Sequence, residues 1–297
     1  MSDYVVSVVS NMGMIAFIAL SAYILLVIGE ISFGQQAYFG IGAYISGVLT
    51  AMWGWPLWLA MVLGCAVAGS AALIIGSLTL RLSGIYFAIA TLSFAEMIRL
   101  GLLSVHVQVE IDGELVGPDG AEGFGDIRWI FENDVTPFEF MTVIYVLLVG
   151  VLTILFWVER SRLGAVIRMV GGDPLLAQAQ GIDVVFYRLL ATVFAGIIAG
   201  LGGCLYAHFT TYIEPNVFNV MLGVHSLAYG LIGGLGTAFG PLIGVGLDIG
   251  LLEGIRVFQG YRMIAFGGLV AVLLIFMPRG ILDEERVHRI KRWLERS

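Results

Sequence analysis

The chain has 297 residues, of which 59% are hydrophobic and only 12% charged, and its mean hydropathy is +0.95. A soluble domain carries roughly 25% charged residues, so this composition excludes a water-soluble globular domain. It predicts an all-α polytopic membrane helix bundle, one domain over 1–297, in which the net charge of −7 is not spread evenly.

Apolar runs predict nine spans (range eight to ten), with interrupted helices among them, at 5–28, 35–53, 57–80, 84–104, 140–158, 187–208, 222–236, 241–257 and 263–277. The first begins near Val5 without a basic flank or a small-residue cleavage pattern, so it reads as a retained span rather than a signal peptide. Glu30 stands at its end, close to Ser32, Gln35, Gln36 and Tyr38 and among Gly29, Gly34, Gly40 and Gly42. That is the most polar patch next to a glycine-weakened helix. These five polar residues are candidates for lining a pathway; helix capping and interface solvation are the competing roles for Glu30. Cys65 and Cys204 fall inside apolar spans and read as packing residues, not as a disulfide framework.

A charge at mid-membrane costs about 2.5–3.5 kcal/mol on an insertion scale, so an ionisable residue in a span faces the protein interior or an interface. Glu96 and Arg99 lie three apart, on one helix face, as do Glu253 and Arg256, and both pairs read as structural ion pairs. Arg81, Asp248 and Arg262 complete this set.

Residues 105–139 hold nine acids and one base, Arg128. They predict an outer (periplasmic) loop with a solvated surface, or with a contact to an external partner. The stretch 159–186 carries Arg160, Arg162 and Arg168, with Arg188 just beyond, and lies on the cytoplasmic side by the same charge rule. Within it Leu163, Val166, Ile167 and Val170 recur at helical spacing, and Arg162 and Arg168 fall off that stripe. A second, short helix follows. Asp173 is its N-cap, Pro174 its first residue and Gly181 its C′ position. Leu175, Leu176 and Ala179 give it a small apolar face. Such a helix at a membrane protein's cytoplasmic face is a docking element, although the amphipathic stretch before it is also compatible with lying on the lipid surface.

The glycine-rich stretch 222–257 predicts broken helices, where irregular backbone lines a cavity. His225, Ser226 and Tyr229 are its pathway candidates. A faint likeness links FGQQAYFGIGAY and FGPLIGVG. The tail 278–297 is basic and therefore cytoplasmic. Four crossings separate 159–186 from this tail, so both lie on one side; counting backward places 105–139 and the N-terminus on the other.

No catalytic constellation and no metal-ligand spacing are present. The four histidines are scattered, and the one lysine, Lys291, is in the tail. Without a GxxxxGK[ST] loop, the chain cannot hydrolyse ATP by the P-loop route, and any ATP is used by a partner.

The segments GQQAYFGIGAY (34–44), GIYFAIATLSFAEMIR (84–99), RSRLGAVIRMVGGDPLLAQAQGID (160–183), GLIGGLGTAFGPLIG (230–244) and MPRGIL (277–282) follow one another in order over nearly the whole chain. In them the sequence resembles the permeases of branched-chain amino acid ABC transporters, and most closely their LivM-type subunit. The resemblance implies a bacterial inner-membrane permease subunit that is not itself an enzyme. It implies pairing with a second homologous permease subunit, two ATP-binding cassette ATPases that bind ATP and Mg, and a periplasmic substrate-binding protein; no nucleic acid is involved. Its substrates would be branched-chain amino acids or related small polar solutes such as urea, amides and aromatic acids. Asp173–Gly181 looks like the coupling helix that inserts into an ATPase cleft. Gly171–Gly172 departs from the charged or bulkier residues expected there, and loop 105–139 matches poorly, so nothing is carried over to it.

An ion-gradient-driven secondary transporter is the alternative, with Glu96 or Asp248 as its ion site. A membrane-embedded enzyme is disfavoured by the lack of a His/Asp/Glu cluster.

Overall fold

Each predicted span falls on a helix in the computed structural model, which describes residues 3–79, 82, 84–111, 113–253, 262–277 and 280–282. Arg81, Asp112, Arg256 and the tail basic residues lie outside the described residues, so neither the Glu253–Arg256 pairing nor the tail is described. The helices are α1 (Asp3–Val27), α2 (Gln35–Ala51), α3 (Leu57–Thr79), α4 (Ile85–Leu103), α5 (Trp129–Glu132), α6 (Pro137–Arg160), α7 (Arg162–Gly172), α8 (Pro174–Ala179), α9 (Val184–Thr210), α10 (Val220–Gly233), α11 (Phe239–Val245) and α12 (Arg262–Phe276). Five of them, α1, α3, α4, α6 and α9, are long and apolar enough to cross a membrane. In the span predicted at 241–257, the described residues form α11 followed by a π-helical stretch, Gly246–Glu253.

α1 is apolar on every side, and every residue from Ala16 to Leu25 is buried, as expected of a helix enclosed by others. α9 packs against α1, α2 and α3, while α6 lies on another face of α1. The α2–α9 crossing is close enough for backbone contact. A Cβ at Gly42 would lie 2.2 Å from the Gly200 carbonyl oxygen, and one at Gly203 would lie 1.8 Å from that of Phe39. Small residues permit this approach where side chains would hold the helices apart. Cys204 is buried at the same crossing, and its thiol donates to the Gly42 carbonyl at 3.3 Å.

At one end of the bundle, the acidic loop is more ordered than a solvated coil. It forms a short hairpin of β1 (Val109–Ile111) and β2 (Glu114–Val116), with Glu110 opposite Leu115, and then the single turn α5. Phe124 bridges to Ile213, with N–H···O distances of 2.7 and 2.9 Å, and Phe124 and Ile127 are fully buried beneath the loop. Apolar residues spaced within an acidic run thus anchor it, a pattern masked in the sequence by the density of charge.

The other end gathers the chain's breaks. α1 stops in a Schellman motif: Gly29 has φ +83°, Glu30 N–H donates to Leu25 O at 2.8 Å and Gly29 N–H to Leu26 O at 3.1 Å. Residues 30–34 then run without helical structure before α2 begins. A second break, 234–238, separates α10 from α11, and residues 280–282 lie along it through Ile281 N–H to Ile232 O (2.9 Å), Leu282 N–H to Gly233 O (2.8 Å) and Gly236 N–H to Leu282 O (3.0 Å). The GLIGG segment and residues 280–282, far apart in sequence, are therefore one structural unit. The two stretches of faint likeness are the first turns of α2 and α11, each following a break.

Candidate coupling and translocation site

The short helix is built as its punctuation predicts. Asp173 Oδ1 accepts from the N–H groups of Leu175 and Leu176, both at 3.0 Å, and Pro174 occupies the first position. Gly181 has φ +81°, and a second Schellman motif forms through Gly181 N–H to Gln178 O (2.9 Å) and Ile182 N–H to Ala177 O (3.1 Å). Ala177 is buried against the bundle, while Leu175 and Leu176 remain 77% and 52% exposed and Ala179 is also exposed. α8 therefore turns an apolar face away from the protein that carries it.

α7 mounts this helix on the bundle. Val170 is fully buried, Val166 and Ile167 pack on the core, and Arg162 is exposed at the helix start. A Cβ at Gly171 would sit 2.1 Å from the Val27 carbonyl oxygen, so the end of α7 rests backbone to backbone on the end of α1. This explains Gly171 where a bulkier residue was expected; Gly172, exposed with open space around its Cβ position, has no such requirement. Arg168 does not face outward with Arg162. Its guanidinium donates to the carbonyls of Leu235 (3.4 Å) and Gly236 (3.2 Å) in the second break.

The pathway candidates divide into two groups. Glu30 is buried and ion-paired to Arg188 of α9 at 3.0 Å; burial pushes its carboxyl pKa up, and the arginine offsets part of that rise. Ser32, Gln35, Gln36 and Tyr38 are each at most 1% exposed around the start of α2. Ser32 Oγ accepts from Gly34 N–H, and Thr91 of α4 accepts from Phe33 N–H, both at 3.1 Å. The amides of Gln35 and Gln36 and the Tyr38 hydroxyl have no partner among the described residues. Gln36 abuts Gly223 of α10, whose carbonyl accepts from buried Ser226 at 2.7 Å. His225 and Tyr229 belong elsewhere. Both pack on Phe266 of α12, and the Tyr229 hydroxyl donates to buried Asp248 at 2.6 Å. Glu96 and Arg99 form the expected ion pair, and Arg99 also donates to Asn216 at 3.1 Å.

Sequence reasoning missed Glu159, Tyr23 and Ala238. Glu159 Oε1 accepts from Tyr23 O–H (2.7 Å) and from Ala238 N–H (2.8 Å). An acid in the last turn of an otherwise apolar span was the available signal. Its partners, 136 and 79 residues away, were not legible.

Long apolar helices, two broken segments, the first followed by buried amides, and an exposed capped helix mounted at the same end define a multi-pass membrane permease. The chain belongs to the family of branched-chain amino acid transport system permease components, whose family model matches residues 4–278. It is similar to the high-affinity branched-chain amino acid transport system permease protein LivM of Salmonella typhimurium and to that of Escherichia coli, each 27% identical over 87% of this chain. The chain spans 65% of the length of those two relatives. It is also similar to the autoinducer 2 import system permease protein LsrD of Klebsiella pneumoniae, 24% identical over 88% of this chain and 76% of that protein. No solved structure matches.

Proposed function

We propose that the chain is the permease subunit of an ATP-driven importer for branched-chain amino acids or related small polar solutes in a bacterial inner membrane. Its partners would be a second homologous permease subunit, two ATPases that bind ATP and Mg from the cytoplasm, and a periplasmic substrate-binding protein, with the tail cytoplasmic. The observation that carries this reading is α8: a helix capped at both ends, with two leucines exposed and its base fixed to α1 through α7. A rigid apolar knob of this kind suits an ATPase cleft, and the chain itself has no phosphate-binding loop.

The route would run between the start of α2 and α10. A buried amide without a partner costs about 1–3 kcal/mol, so Gln35 and Gln36 favour any state that brings water or a zwitterion to them. The two carboxylates a secondary transporter would use are otherwise engaged, Glu96 with Arg99 and Asp248 with Tyr229, which supports the ATP-driven reading. In vesicles with all partners, Leu176→Asp is expected to cut transport by about tenfold or more, within the usual range of coupling energies, while ATP hydrolysis continues and the amount of inserted protein is unchanged. Wild-type transport by that variant, or transport that survives vanadate and is abolished by a protonophore, would count against the reading.

A further inference from the structure

We infer that Glu159 is the positioning residue of an internal clasp, completed by Arg168, that transmits displacement of α7–α8 to the break between α10 and α11. The inference rests on the reading of α8 as the ATPase-docking element.

The argument begins with the hydrogen bonds that a broken helix loses. Where α10 ends and α11 starts, backbone carbonyls and N–H groups have no intrahelical partner. Ala238 is the N-cap of α11 and caps it with no side-chain hydrogen bond. Its own N–H is buried in the chain and donates to Glu159 Oε1 at 2.8 Å. Three and two residues before it, the Leu235 and Gly236 carbonyls accept from Arg168 at 3.4 and 3.2 Å. An acid from the last turn of α6 thus holds the donor side of the break, and a base from α7 holds the acceptor side. The same Glu159 oxygen accepts from Tyr23 of α1 at 2.7 Å, so a single carboxylate joins α6, α1 and the break.

Packing alone does not set this arrangement. A cavity of about 120 Å³ lies beside the clasp, between α1, α6, α7 and α9, and Tyr23, Val158, Glu159, Leu163, Ile167 and Arg168 are among its lining residues. Leu163 and Ile167 therefore have room on one side, while Gly164 of α7 packs backbone to backbone on the last turn of α6 (a Cβ there would lie 2.4 Å from Val158 O), so α7 and the end of α6 that carries Glu159 move together. The polar contacts tie this α6–α7 corner to the break. Movement of the corner either carries residues 235–238 with it or strips the buried Ala238 N–H and the half-buried Leu235 and Gly236 carbonyls of their partners, which is costly away from water. The break leads directly into α10, whose Gly223 abuts Gln36 at the start of α2. The chain of contacts from the exposed leucines to the buried amides is continuous, and Glu159 is the link between its cytoplasmic and intramembrane parts.

The test uses the transporter with its ATPase and binding-protein partners in vesicles, with hydrolysis, transport and thermal unfolding measured on the same preparations. Glu159→Ala is expected to raise the ATP consumed per solute moved by about tenfold, and Arg168→Gln to act in the same direction. Glu159→Gln keeps an acceptor oxygen and is expected to restore the ratio most of the way to wild type. Tyr23→Phe removes one hydroxyl from the clasp and keeps the ring, so it carries the test if Glu159→Ala does not fold, with a smaller rise expected. A wild-type ratio in Glu159→Ala and Arg168→Gln, alongside an uncoupled Leu176→Asp, would overturn the clasp and leave the docking reading standing. A Glu159→Gln variant as defective as Glu159→Ala would also overturn it, as would hydrolysis and transport falling together with the unfolding temperature. Full coupling in Leu176→Asp would remove the docking reading and the clasp with it.

Discussion

Gly171 and Gly172 are neighbours with opposite requirements, although nothing in their sequence distinguishes them. The Cβ position of Gly171 collides with the Val27 carbonyl at 2.1 Å, and backbone cannot yield as a side chain can. Gly172 has nothing within 4 Å of its Cβ position. Gly171→Val is therefore expected to lower stability by about 1–3 kcal/mol or more through overpacking. Gly172→Ala, at a helical position, is expected to be neutral or to stabilise by up to about 1 kcal/mol. Thermal unfolding of the purified protein in detergent distinguishes the two, and an equal loss from both substitutions would contradict the contact. The reason for glycine at 171, where the family resemblance implies a charged or bulkier residue, was not legible because a local pattern does not encode how closely another helix approaches. Arg168 shows the same limit: its position off the apolar stripe was legible, while its acceptors at Leu235 and Gly236 were not.

Elements defined by local bonds were legible down to single residues. α8 is one of these, because Asp173 caps groups two and three positions ahead and Gly181 closes the helix within four. Asp173→Ala is expected to cost the helix about 0.5–2 kcal/mol, seen as faster hydrogen exchange at the Leu175 and Leu176 amides with exchange in α1 unchanged. Unaltered exchange at those two amides would show that the cap contributes nothing. The start of α2 was legible in part. Glycines and polar residues announced a break, but the burial of Gln35, Gln36 and Tyr38 follows from the packing of α4 and α10 around it. The acidic loop was read least well. Its hairpin and the Phe124–Ile213 bridge depend on a partner strand and on a segment about 90 residues further along the chain, and neither leaves a periodic signature.

Across the molecule, the hairpin end and the α7–α8 end are expected to face opposite sides of the membrane, in the sense set by the arginines. In a variant lacking Cys65 and Cys204, an impermeant thiol reagent applied outside intact cells should label a cysteine at Leu115 and spare one at Gln178; both positions are exposed. Labelling of Gln178→Cys from outside would invert the topology and remove the basis for ATPase docking from the cytoplasm. Composition, apolar run length and capping act over a few residues, so the membrane class, the order of the spans and the capped helix were legible without the fold. Which polar groups meet was settled by the packing of the helices. Glu30 with Arg188, Glu159 with Tyr23 and Ala238, and Arg168 with the 235–236 carbonyls are all contacts between distant segments. In an apolar interior such groups must find partners, but which partners they find depends on how the helices pack.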